Sequence, residues 1–280
     1  MTMSKSTTIE AAPVQEPLYG PGEITEERFD SMPNGYKDCV RSAIRRQALG
    51  EIGAGAIFAR LMVRFYEDGD SDRAIFAAHL AEEEAGHCQL ITAILPGIGL
   101  SKDIYETSQP RYGEIFGGTS EDLDSWEALI MFNWLAEKAG TMFLRSFRNT
   151  SYKPWYDTMK SIVEEEEGHE DSGITNVRRY LKMWPENRPL IQTLVDKWFP
   201  ISLKLLGIPG SEKQQKYHKY GLKAEDSTEQ IPVWLNAVLP DMAKLKLRVP
   251  SVDELLSHGV ILPDDSAELV SNAQGAAGAG

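Results

Sequence analysis

Glu82-Glu83-Glu84-Ala85-Gly86-His87 and Glu164-Glu165-Glu166-Glu167-Gly168-His169 are nearly the same phrase written twice. Both contain Glu-x-x-His. On an α-helix, residues three apart share a face, so carboxylate and imidazole point the same way. Two such helices facing one another present two carboxylates and two imidazoles to one point. Glu83 and Glu165 stand four residues before their histidines and share that face too. The i, i+3 spacing favours Glu84 and Glu166, with Glu83 and Glu165 as alternatives; Glu82, Glu164 and Glu167 read as solvated or outlying. A single Glu-x-x-His is most often a solvated helix face. The repetition carries the inference.

Working outward, each phrase is preceded by a helical stretch with an isolated acid. Glu51 lies in Ala48-Leu49-Gly50-Glu51-Ile52-Gly53, and Glu137 in Trp134-Leu135-Ala136-Glu137-Lys138-Ala139-Gly140. The separations, 33 residues from Glu51 to Glu84 and 29 from Glu137 to Glu166, are similar. In an antiparallel hairpin they bring each isolated acid level with its Glu-x-x-His. Glu51, Glu84, His87, Glu137, Glu166 and His169 then match the ligand set of ferritin-like carboxylate bundles, which hold two iron or two manganese ions. Four carboxylates balance two divalent cations. Hard oxygen donors with imidazole suit iron or manganese. Gly50, Gly53, Gly55, Ala139 and Gly140 flank the isolated acids. Glycine inside a helix costs about 0.5–1 kcal/mol relative to alanine. Such a cluster implies close helix approach or room for a substrate.

The rest of the chain supports an all-α fold. Long helices are expected over about 35–67, 71–94 (capped by Ser71), 123–147, 153–183 (capped by Ser151) and 188–206, with a kink or break at Pro200. Shorter helices are expected near 212–220, 229–245 and 252–256. Residues 96–119, with Gly97, Gly99, Pro110 and Gly117-Gly118, form a crossover between two helical hairpins, as in ferritin-like four-helix bundles. The domain plan is a flexible tail over 1–24, the bundle over 25–206, a C-terminal helical extension over 207–270 and a flexible tail over 271–280.

Net charge of −13 and a pI near 4.9 disfavour nucleic acid as a partner. No apolar run reaches the length of a membrane span, and residues 1–20 lack a secretory pattern, so the cytoplasm is expected. Cys39 and Cys88 form no disulfide framework; Cys88, beside His87, reads as a buried helix residue. His79, His218 and His258 have no partner pattern and read as structural or surface residues. Trp134 and Tyr66 read as core aromatics before any role in electron transfer.

The chain resembles the catalytic subunit of ring-1,2-phenylacetyl-CoA epoxidase, within the phenylacetic acid catabolic family. The resembling stretches are Met32-Pro33 to Gly53, Glu84-Ala85-Gly86-His87, Ser151-Tyr152-Lys153-Pro154 to His169, and Trp198-Phe199-Pro200 to Gly207. The resemblance implies a di-iron monooxygenase that activates O2 and epoxidises or hydroxylates a small organic substrate, such as an aromatic acyl-CoA thioester. It implies electrons from a separate NAD(P)H-dependent reductase. It also implies assembly as a homo-oligomer or with a related helical subunit. Ser211 to Lys219 departs from the epoxidase pattern, which leaves the substrate open; its lysines could meet CoA phosphates or simply be solvated. A ferritin-like iron oxidase or iron-binding protein, and a non-catalytic oxygenase subunit, are the rival expectations.

Overall fold

A run of 34 residues, Asn34–Glu67, contains no proline and forms one unbroken helix, α2, after the short α1 (Glu26–Phe29). Its buried positions, from Tyr36, Val40 and Ile44 to Phe58, Leu61 and Phe65, recur every three or four residues, so one stripe faces the core. Gln47 and Glu51 break that stripe with polar groups, and both are buried. The molecule is a computed structural model that describes residues 16–101, 123–166 and 170–277. It is an all-α, ferritin-like bundle, with no strand among the described residues.

Helix α3 (Ser71–Ile94) returns antiparallel to α2. Its cap is Asp70, not the expected Ser71: the Asp70 carboxylate accepts from the Arg73 N–H at 3.1 Å. A 3-10 turn, Pro96–Ile98, ends it. The rest of the expected crossover lies outside the described residues.

The third long helix is really two α-segments, α4 (Trp126–Phe132) and α5 (Lys138–Arg145), joined by a π-helical turn over Asn133–Glu137. It is hidden in the sequence because residues 128–136 are all buried, so no apolar phase can be read across the turn. A cause lies opposite. Gly173 packs so closely that a Cβ there would overlap the backbone of Asn133 and Trp134. The fourth helix appears as α6 (Lys153–Glu166) and α7 (Glu170–Met183), with 167–169 outside the described residues. Helix α8 (Arg188–Leu206) runs through Pro200 without the expected break; Trp198, Phe199, Pro200 and Ile201 are all buried there, and packing outweighs the lost hydrogen bond.

Four further helices follow: α9 (Glu212–Lys219), α10 (Ser227–Lys244), α11 (Val252–Ser257) and α12 (Asp264–Ala277). Capping boxes start α10 (Asp226 with Glu229) and α11 (Ser251 with Glu254). Residues 1–15 and 278–280 of the two expected tails lie outside the described residues; the remainder of each is folded. Residues 16–24 are tied down: the Gly22 and Ile24 N–H groups donate to the Thr150 and Ser151 carbonyls, each at 2.9 Å, and Ile24 is fully buried. At the other end, α12 continues to Ala277, and Gln274 donates to the Val249 carbonyl at 3.1 Å. Alanine is the strongest helix former, so an Ala-rich end need not be a tail.

Two apolar clusters build the core. One gathers Phe58, Phe132, Trp198, Phe199 and Trp234; the other gathers Phe29, Tyr36, Phe147, Trp155 and Tyr217. Residues 207–270 contribute to both, so the extension shares the bundle's core. Along α2 the change between clusters falls between Ala48 and Ala54, along α3 between Ala77 and Ile91, and from α6 to α7 between Val163 and Ile174. Glu51, Glu84 and Glu166 stand at those changes.

Candidate metal centre

Helical spacing aims Glu51 of α2, and Glu84 and His87 of α3, into the seam between the two clusters. Their side chains are 6%, 8% and 1% exposed, and one ligand atom from each lies within 4.8 Å of the others. Gly55 makes this approach possible, since a Cβ on it would sit 3.3 Å from the Glu84 Cβ. From the second hairpin Glu166 joins them, its Oε1 lying 3.2 Å from His87 Nδ1. Glu137, at the end of the π turn, borders a void with Glu84, His87, Asn133 and Glu166. That void is about 10 Å3, close to the room one water needs. Five of the six expected residues therefore converge. The sixth, His169, lies outside the described residues.

His87 is held between two environments. Its Nε2 is 3.1 Å from Glu165 Oε2, a hydrogen bond across to the second hairpin. Its Nδ1 faces Glu166 and, at 3.6 Å, Glu51, is buried, and has no well-aligned hydrogen bond. A histidine that ligates a metal typically anchors its other ring nitrogen on a carboxylate. Glu165, open in the sequence as an alternative ligand, occupies that outer position, with more than half of its side chain exposed. Behind Glu51 stands a second support. Gln47 donates to Glu51 Oε1 at 2.9 Å, and the Trp155 indole N–H donates to Gln47 Oε1 at 2.8 Å. Gln47 and Trp155 were missed in the sequence. The available signal was the offset of four: Gln47 precedes Glu51 as Asn133 precedes Glu137. Asn133 is also buried, and its Oδ1 lacks a hydrogen-bond partner among the described residues.

The electrostatics are those of a site short of positive charge. Burial, the Glu51, Glu137 and Glu166 charges, and a hydrogen bond with Glu51 push Glu84 well above the usual carboxylate range. Glu137 is pushed the same way by burial and by Glu166 and Glu51, with His87 opposing. Burial alone would lower His87, but contacts with Glu166 and Glu51 prevail and raise it to about 11. Carboxylates this close hold protons unless a cation replaces them. Oxygen and imidazole donors, with a buried ring nitrogen aimed among them, fit divalent iron or manganese.

The remaining candidates fall elsewhere. Cys88 is buried and forms no disulfide, as does Cys39. Trp134 is fully buried within the π turn, whereas Tyr66 is 76% exposed. His79 is exposed. The expected glycine roles divide: Gly55 allows close approach, while Gly50 and Gly140 line an open cavity beside the carboxylates.

A family model described as phenylacetic acid catabolic protein matches residues 43–260, which include all six expected metal ligands. The chain belongs to that family. No curated protein matches the sequence. Among solved structures, a Synechococcus protein with aldehyde deformylating oxidase activity aligns with a TM-score of 0.57 at 15% identity. The alignment covers 80% of this chain and 97% of that one. It establishes a shared fold. Family, fold and the buried Glu51–Glu84–His87 cluster together support an oxidoreductase of the di-iron, oxygenase-like kind. No helix among the described residues is long and apolar enough to cross a membrane.

Proposed function

We propose that the chain is a di-iron monooxygenase in which Glu51, Glu84, His87, Glu137, Glu166 and His169 hold two iron ions, with manganese as the alternative metal. The observation that carries this reading is the His87 ring, anchored outward on Glu165 while its buried Nδ1 faces Glu51 and Glu166 without a well-aligned hydrogen bond among the described residues. When bound, the irons supply O2 activation and oxygen insertion into a small organic substrate, using electrons from an NAD(P)H-dependent reductase. The protein's own part is preparation. Glu84 and Glu137 release their protons as the metals enter. Gln47, itself held by Trp155, fixes one carboxylate oxygen of Glu51, and Glu165 fixes the tilt of His87. Phe58 and Leu80 wall the small void and limit water beside the carboxylates. An aromatic acyl-CoA thioester is the proposed substrate, and a related helical subunit and a separate reductase are the proposed partners, in keeping with the family.

The test is a single turnover. The protein is reconstituted with Fe(II), supplied with reductant, O2 and candidate acyl-CoA thioesters, and the organic products are analysed. Oxygenated product from wild type, and none from Glu84→Ala, is the expected result. O2 uptake that oxidises iron without touching any organic substrate would favour an iron oxidase. Full turnover by a complex containing Glu84→Ala would make this chain a non-catalytic subunit.

A further inference from the structure

Arg46 lies five residues before Glu51 on α2 and lines the same cavity as the carboxylates. The cavity is about 90 Å3 and much larger than the void at the centre. Its apolar wall is formed by Ala54, Ala136, Phe143, Leu144 and Leu205, and its inner end by Glu51, Glu84, Glu137 and Glu166. The Arg46 guanidinium sits over the Phe143 ring, 4.8 Å from its centroid. Among the described residues it makes no ion pair. In a chain of net charge −13, a cation without an ion pair at the wall of a cavity is unusual.

The floor of the cavity carries a second observation. Gly50 and Gly140 line it, and a Cβ added to either would meet nothing within 4 Å. Alanine would fit both positions and would favour the helix by about 0.5–1 kcal/mol. Glycine leaves the space open instead.

We propose that this cavity is the substrate channel and that it takes its ligand as an anion. A carboxylate or phosphate group is held by Arg46, and the apolar remainder lies along Gly50 and Gly140 toward Glu51 and Glu137. Guanidinium suits either group, because its planar donors match a pair of anionic oxygens. The ligand's role as a substrate rests on the oxygenase reading; the existence of the anion site does not.

Calorimetric titration of the full chain with hexanoate, hexanoyl-CoA and 1-hexanol tests it, with metal content measured on the same samples. At least one anionic probe should bind about tenfold or more tightly than the alcohol, a difference of about 1.4 kcal/mol. Arg46→Gln should remove that preference, and Gly140→Leu should weaken every probe by filling the channel. Preference for hexanoate identifies the carboxylate as the recognised group; preference confined to hexanoyl-CoA identifies the phosphates. Equal binding of acid, thioester and alcohol to wild type overturns the proposal, and needs no variant to fold. Anion preference surviving in Arg46→Gln also overturns it, as does unchanged binding in Gly140→Leu. Anion preference in protein that takes up no iron would keep the site and remove the oxygenase reading. Iron uptake without anion preference would do the reverse.

Discussion

Two regions of this molecule bury charge, and they do it in opposite ways. At the bundle centre Glu51, Glu84 and Glu166 converge with Glu137, and His87 is the counter-charge among the described residues. Near the start of the extension, Lys223 is only 3% exposed. Its ammonium donates to Gln214 Oε1 at 3.2 Å and Gln230 Oε1 at 2.9 Å, and it lies 5.2 Å from the Phe143 ring centroid. Gln230 in turn donates to the Met142 carbonyl, and Gln214 to Ser227 Oγ. The lysine is hydrogen-bonded on two sides within the protein, and its network joins the extension to α5. The carboxylate centre, on the proposed reading, is completed by cations. A buried charge whose partners are all present is structure; one whose neighbours repel it is waiting for a ligand.

The largest effect that would break this contrast lies at Glu84. Glu84→Gln should cut iron loading from two per chain to below one, read by metal analysis, while raising the stability of the metal-free protein at neutral pH. The sign follows from the raised pKa values. Glu84 and Glu137 are protonated in the folded chain at pH values where the unfolded chain has ionised them. The metal-free protein therefore loses stability as pH rises above about 4.5, the ordinary carboxylate value. His87, raised to about 11, adds a loss of the same sign as pH rises above 6.5. Urea denaturation of metal-free wild type from pH 5 to 8 should show a falling curve, and Glu84→Gln a flatter one.

Next in size is Gly173→Ala, which places a methyl group against the backbone of the π turn. A cost of roughly 1–3 kcal/mol is expected, with a lower Tm and weaker iron retention, because Glu137 ends that turn. The lysine network should respond differently. Burial lowers Lys223 to about 8, so from about pH 8 to 10.5 this lysine contributes a gain in stability that offsets the loss from His87 over the same range. Lys223→Met should remove that gain, so that metal-free stability keeps falling with pH above 8, and should leave iron loading unchanged; altered loading would mean that the two regions are coupled. The smallest effect is expected at Trp155→Phe. It removes one hydrogen bond to Gln47, worth about 1 kcal/mol, and should weaken iron binding about tenfold through the loosened Glu51.

Much of this was legible in the residues themselves. The repeated Glu-x-x-His and the isolated Glu51 and Glu137 announced a helical bundle with carboxylates and a histidine gathered at its centre, because i, i+3 spacing survives in any straight helix. The bounds of α2 and α3 were legible for the same reason. The π turn was not, since residues 128–136 are buried all round and offer no periodic phase to read. The division of labour between Glu165 and Glu166 was hidden too: both lie near the inward face, and only the position of His87 across the bundle separates them. Gln47 and Trp155 were invisible because they are 108 residues apart and meet only after folding. The ends misled for a local reason, as Tyr19 and Ile24 at one end and Val270 and Ala273 at the other are sparse anchors in otherwise polar or small-residue stretches.

The most direct test of the two-cation centre is a titration of metal-free protein with Fe(II) under anaerobic conditions, followed by Mössbauer spectroscopy after oxidation. Two equivalents bound per chain, with the quadrupole doublets of a spin-coupled diferric pair, is the predicted result. Saturation at one equivalent or less, or two equivalents still bound by Glu84→Gln, would contradict it.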